Sequence, residues 1–263
     1  MALAAVLLTA GAGARAAGPG GPGSPGGPGG ADGKGSSWGL GIGAISMQKP
    51  YKGMDRETKA LPMLSYENRW VKVFGPGLMV KLPSATLSPT QRIDFGLVAK
   101  WSPGGYEADD APILNGMAER KGGIWVGGKA TWQGELAELG AEWTTDASGH
   151  SKGQRLALTL ERSWRFGPSV MLTPRLGANW LDKKYVDYYY GVRANEVAAN
   201  RAAYRGRSAF NPEIGLRGMY MFNRQHSMFV DVGVTSLASS IKDSPLVDAS
   251  TENRVFIGYL YRF

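Results

Sequence analysis

Residues 253–263 read NRVFIGYLYRF and end the chain. Side chains alternate between the two faces of an extended strand. Val255, Ile257, Tyr259, Tyr261 and Phe263 therefore share one face, and Arg254, Phe256, Gly258, Leu260 and Arg262 share the other. The last residues of a soluble domain are usually polar and loosely held. This stretch instead carries the most regular apolar alternation in the sequence, which raises the question of what its apolar face touches.

The same period of two recurs upstream. In RIDFGLVAKW, Ile93, Phe95, Leu97, Ala99 and Trp101 oppose Arg92, Asp94, Gly96 and Lys100. VMLTPRLGANW sets Val170, Leu172, Leu176, Ala178 and Trp180 against Thr173, Arg175 and Asn179, and SMFVDVGVTSL sets Met228, Val230, Val232 and Val234 against Ser227, Asp231, Gly233 and Thr235. Each is a half-buried strand pattern. Two solvents suit such a face: the core of a soluble sandwich, or lipid around a barrel whose polar face lines a lumen.

Three features favour the barrel. The runs reach the about nine to eleven residues that cross a bilayer, longer than ordinary strands. Aromatic residues close the apolar faces at strand ends (Trp38, Trp101, Trp132, Trp143, Trp180, Phe210, Phe222, Phe263), as interfacial girdles require. The opposite faces mix glycine with both signs of charge, which suits a narrow lumen filled by its own ion pairs. Connections also alternate. Tight turns at 67–69, 132–134, 165–169 and 222–227 contrast with long polar loops at 49–60, 102–123, 144–153, 182–208 and 239–253, the asymmetry of an outer-membrane barrel.

The sequence thus predicts an all-β, transmembrane, antiparallel up-and-down β-barrel. Its strands fall near 38–47, 58–66, 69–74, 76–83, 90–101, 122–132, 134–144, 153–164, 168–180, 209–222, 227–238 and 253–263. Twelve strands is the count, with ten as the fallback because GPG at 75–77 interrupts the third and fourth. Pro62, Pro174 and Pro212 fall in or at the start of strands, where they predict bulges or strand ends.

Composition fits. Mean hydropathy is −0.22, and no run after the first dozen residues reaches the roughly 18 apolar residues of a membrane helix. The chain has no cysteine, which excludes disulfides and thiolate chemistry. A net charge of +8 suits anionic partners, but the basic residues form no dense stripe, so nucleic acid is not an expected partner. ALAAVLLTAGAGARA resembles a signal-peptide core with a small-x-small site at Ala14 to Ala16. Residues 1–16 are therefore expected to be a signal peptide, 17–37 a Gly/Pro-rich linker, and 38–263 the barrel, exported to the outer membrane of a Gram-negative cell.

The sequence also resembles the MipA/OmpV family of outer-membrane proteins. The likeness rests on WGLGIGA at 38–44, YKGMD (Tyr51, Gly53, Asp55), LPMLSYENRW at 61–70, and YVDYYYGV with Tyr188, Tyr189 and Tyr190. NEVAANRAAY at 195–204, KDSPLV with Asp243, Ser244 and Pro245, and the terminal GYLYRF complete it. The resemblance implies a non-enzymatic barrel acting as an envelope scaffold, with a lytic transglycosylase and a murein synthase as partners and a role in peptidoglycan biosynthesis. The alternatives are a narrow or plugged small-solute channel and a barrel that contacts lipopolysaccharide.

No catalytic, cofactor or metal residues are assigned. Gly149-His150-Ser151 invites comparison with a hydrolase, but a glycine-flanked loop gives a base and nucleophile no rigid support, and a solvated loop is the preferred reading. The tyrosines at 188–190 are read as interfacial rings. Arg193, Arg201, Arg205 and Arg207 are candidate contacts for anionic lipid. Val255, Ile257, Tyr259, Tyr261 and Phe263 form the assembly signal for the barrel assembly machinery. Deleting Phe263 is expected to reduce the heat-modifiable, folded band on gels more than any loop substitution does.

Overall fold

The computed structural model describes residues 36–103 and 105–263. The expected signal peptide and nearly all of the linker lie outside the described residues. The elements in chain order are β1 (Ser37–Gln48), β2 (Glu57–Glu67), β3 (Val71–Phe74), β4 (Gly77–Lys81), β5 (Ala85–Ser88), β6 (Gln91–Ser102) and β7 (Gly123–Gln133). There follow β8 (Glu138–Asp146), β9 (Gln154–Glu161), β10 (Trp164–Phe166), β11 (Val170–Leu181), α1 (Lys183–Tyr190), β12 (Ala209–Met221), β13 (His226–Ser236), α2 (Ser239–Lys242) and β14 (Thr251–Arg262).

Every strand pair is antiparallel, and β14 returns to β1 through ten paired positions, from Gly39 opposite Arg262 to Gln48 opposite Asn253. Phe263 donates its backbone N–H to the Trp38 carbonyl at 2.9 Å. β4 and β5 both lie along β6, and β9 and β10 both lie along β11, so each pair is one interrupted rung. The result is a closed barrel of twelve strands.

The prolines sit where a ladder is missing on one side. Pro174 faces the break between β9 and β10, since Glu161 pairs with Arg175 and Trp164 with Leu172. Pro212 pairs with Ala178 on β11, while the β12–β13 ladder starts one residue later at Glu213. Pro62 pairs with Ile42 on β1, but the β2–β3 ladder covers only residues 65–67. A residue without an N–H is tolerated at such positions.

The faces follow the sequence parity. Leu40, Ile42, Leu97, Leu158, Leu176, Ile214, Val234 and Ile257 are exposed outward and make the apolar belt that lipid covers. Trp38, Phe222 and Phe263 stay exposed toward the short-turn end, and Trp101, Trp143, Trp180 and Phe210 toward the long-loop end. Inward-facing residues include Arg175, Glu213, Arg217, Asp231 and Arg254, all buried. A cation placed mid-belt meets hydrocarbon, so Ile214→Arg should destabilise the barrel by about 2–4 kcal/mol. Urea unfolding in lipid vesicles measures this.

Candidate functional site: a capped lumen

Four of the five long connections do not stand in solvent as polar loops. Those at 49–60, 102–123, 182–208 and 239–253 fold over the outer mouth and share one apolar core that includes Tyr51, Ile113, Leu114, Trp125, Tyr185, Tyr189, Tyr190, Ile241 and Leu246. α1 organises it. Asp182 caps the helix by accepting from the Tyr185 N–H at 2.8 Å, as N-cap aspartates do. Tyr185, Val186, Tyr189 and Tyr190 fall on one face of the helix and are buried. The tyrosine run is therefore cap core and not a girdle at the membrane interface; only Tyr188 remains half-buried, its hydroxyl accepting from the Lys121 N–H at 2.8 Å.

The other family motifs converge on that helix. The Tyr51 hydroxyl donates to the Tyr189 carbonyl at 3.1 Å, and Gly53 supplies the left-handed turn beside it with φ of 72°. Ser244 donates its hydroxyl to the Tyr190 carbonyl at 2.6 Å. Lys52 N–H bonds the Leu246 carbonyl at 2.9 Å. Asp243 ends α2 as its C-cap, and Asp55 is exposed.

A buried ion pair clasps two of the loops. Arg120 and Glu196 are 1% and 2% exposed, with Nη2 to Oε2 at 2.7 Å. Arg120 Nε also donates to the Tyr188 carbonyl and Nη1 to the Ala118 carbonyl, each at 2.7 Å. Glu196 accepts further from the N–H groups of Ala118 and Arg193. Burial alone would raise the Glu196 pKa, but the hydrogen bonds from Arg120 and the two backbone donors hold it below its ordinary value. Burial pushes the Tyr106 phenol beside the clasp up to about 12.

Of the four candidate anion contacts, Arg193, Arg205 and Arg207 are exposed on the cap. Arg201 is buried; it donates to the carbonyls of Glu196, Asn115 and Ile113 and braces the clasp from below. A short helical turn precedes it at Ala194–Glu196.

Beneath the cap the lumen is crossed by charge. Arg175 reaches Glu213 at 3.1 Å and Asp231 at 3.2 Å, and Arg254 reaches the same two acids at 3.0 and 3.4 Å. Arg217 pairs with Asp231 at 2.9 Å. Arg92 and Asp94, neighbours on the polar face of β6, pair at 2.8 Å. Across the lumen Lys100 pairs with Glu142 at 2.6 Å, and the Arg155 guanidinium stacks over Trp125 at 3.6 Å. An apolar stack of Phe229, Phe256 and Met63 fills the β1–β14 side. Gly258 makes room for it, since a Cβ there would meet the Phe229 ring at 2.5 Å.

His150 and Ser151 do not face one another. His150 Nδ1 contacts the Gly122 carbonyl, while the Ser151 hydroxyl donates to Asp146 at 2.9 Å and stabilises the turn. His226 Nδ1 contacts the Tyr259 hydroxyl at the short-turn end. The clasp escaped the sequence because its partners lie 76 residues apart. Trp125 was legible: it shares parity with Lys129 and Thr131, and so belongs to the polar face.

Removing one member of a buried pair typically costs about 3–5 kcal/mol. Glu196→Ala should raise amide exchange across residues 183–207 accordingly, while the heat-modifiable barrel survives. Because the Glu196 carboxyl is held below its ordinary range in the folded cap, its contribution is complete at neutral pH and is lost as pH falls through the lower, folded value. Proteolysis of the cap should therefore stay flat at neutral pH and rise only in acid, below the ordinary carboxylate range.

The family model described as MltA-interacting protein MipA matches residues 40–263. The MltA-interacting protein of Escherichia coli strain K12 is 25% identical over 235 residues, covering 86% of this chain and 90% of that protein. Outer membrane protein OmpV of Vibrio cholerae is 24% identical over 226 residues, 86% of each. Among solved structures, an outer membrane channel from Pseudomonas putida F1 aligns over 88% of this chain and 96% of its own, with 11% identity and a TM-score of 0.44. Relatives named as outer membrane proteins, together with the girdled barrel, place this chain in the outer membrane. The chain belongs to the MltA-interacting protein MipA family.

Proposed function

We propose that this barrel is a non-catalytic envelope scaffold that docks murein-processing proteins on its periplasmic rim. The observation that carries the reading is the sealed mouth: the cap core and the Arg120–Glu196 clasp close the outer end above an ion-filled lumen. That leaves the rim as the surface open to soluble partners. By turn length the short-turn end faces the periplasm. There Arg69, Arg162, Arg165 and Arg224 are exposed, among the exposed aromatics Trp70, Trp164, Phe166 and Phe222. Arginine beside tryptophan is the composition of an interface hot spot, and Arg69 lies over the Trp70 ring at 4.3 Å. Glu135 is the exposed acid of these turns, so the rim suits an acidic partner.

The relative's name points to an interaction with MltA, and the family resemblance implies a lytic transglycosylase and a murein synthase as the partners. Val255, Ile257, Tyr259, Tyr261 and Phe263 are read as the signal by which the assembly machinery recognises the last strand. Arg193, Arg205 and Arg207 on the cap are read as contacts for lipopolysaccharide phosphates.

The purified barrel should enrich lytic transglycosylases and murein synthases from envelope extract, and reversing Arg69, Arg162, Arg165 and Arg224 to Glu should abolish the enrichment. Enrichment no greater than with an unrelated barrel would sink the scaffold. In planar bilayers the protein should show no steady conductance; a stable open level would favour a channel.

A further inference from the structure

The wall is not complete over its whole height. β2 pairs with β1 along eleven positions, from Glu67 up to Glu57. On its other side it meets β3 only at Ser65, Tyr66 and Glu67, and the last bond is Gly75 N–H to the Leu64 carbonyl. The β3–β4 hairpin turns over there, at Gly75 and Pro76. Above it, residues 57–63 of β2 have no strand on that side among the described residues, roughly 20 Å of strand edge. Beyond the hairpin β6 is covered up to Trp101, whose N–H bonds the Pro76 carbonyl.

Side-chain exposure marks the same gap independently. Lys59 has the parity of the lumen-facing Met63 and Glu67, yet its side chain is 49% exposed. The lumen-facing residues opposite and beyond it, Ile45, Met47 and Arg254, are buried. Lys59 is exposed because the neighbouring wall is absent. Pro62 lies on this open edge, where its missing N–H leaves one fewer donor unpaired.

Behind the gap the lumen is apolar and soft. Leu61, Met63 and Phe74 line it, backed by Ile45, Met47, Met219, Phe229 and Phe256. Methionine side chains adapt readily to irregular guests. Outside, Leu40, Ile42, Leu64, Leu78 and Val80 flank the gap at lipid depth. Above it, Lys49, Lys52, Arg56 and Lys59 outnumber Asp55 and Glu57, with Lys49 and Lys59 both on Glu57.

We propose that this gap is a lateral site for a lipid of the outer leaflet. An acyl chain enters between β2 and the β3–β4 hairpin to lie against Leu61, Met63 and Phe74, while Lys52, Arg56 and Lys59 hold its anionic headgroup. A chain from the surrounding bilayer fits better than a soluble guest, because the cap closes the route from outside and the gap faces hydrocarbon.

The cysteine-free chain makes the test direct. A bimane fluorophore is attached at Leu61→Cys and, as a tolerant second reporter, at Lys59→Cys, with Leu64→Cys as the lipid-facing reference and Thr235→Cys as the lumen reference. Each variant is reconstituted in vesicles containing chain-spin-labelled phosphatidylglycerol or phosphatidylcholine, and heat modifiability confirms the closed barrel. Quenching at 61 and 59 should approach that at 64, at least twofold above that at 235, and should be stronger with phosphatidylglycerol. Reversing Lys52 and Arg56 to Glu should erase the preference for the anionic lipid. Quenching at 61 and 59 no greater than at 235 would overturn the site. An undiminished preference after charge reversal would overturn the headgroup assignment.

Discussion

Hydrocarbon offers a backbone amide nothing to bond, and each unsatisfied group there costs several kcal/mol. The rest of the molecule depends on that constraint. It demands that the last strand return to the first, and β14 meets it with ten paired positions against β1. It also forces the alternation of side chains to serve two environments at once, lipid outside and lumen within. Once closure is fixed, the inner face has to be filled. The chain fills one side with arginines and carboxylates and the other with phenylalanines over glycine.

Filling by charge has its own consequence. Buried ions are costly unless their hydrogen bonds are satisfied, and here Glu213 meets Arg175 and Arg254 while Asp231 meets Arg175, Arg217 and Arg254. Such a network joins the lumen-facing side chains of the neighbouring strands β11, β12, β13 and β14 in addition to their backbone ladders. The cap applies the same chemistry outside the bilayer, with one arginine serving a carboxylate and two carbonyls. Both devices brace the interior without a disulfide, in a chain that has no cysteine.

The strands were legible because a period of two survives in every one of them, and the girdle aromatics marked which face met lipid. The twelve-strand count and the outward set of NRVFIGYLYRF follow from that pattern alone. The cap was not legible. Its apolar residues are interleaved with charges in long connections; Tyr185, Val186, Tyr189 and Tyr190 share a face only over the eight residues of α1, and Leu246 has no periodic neighbours, so both are buried by residues from other loops. The partners in the lumen escaped for a related reason: parity places Glu213 and Arg217 on one face, but only the register across strands puts Arg217 beside Asp231. The prolines were visible as anomalies, and GPG at 75–77 was visible as an interruption. That the hairpin there stops short of the β2 top required the pairing register itself.

The cap draws residues from connections that follow β1, β6, β11 and β13. No subset of the chain contains enough of it to bury a core, and the last contributor, Val247, arrives only four residues before β14 begins. Order in the cap therefore reports on assembly history. A molecule whose first and last strands have not met cannot bring Pro50 beside Asp248 or Tyr51 beside Val247. Its loops remain cleavable strings, and protease resistance at the cell surface becomes a certificate of completed insertion.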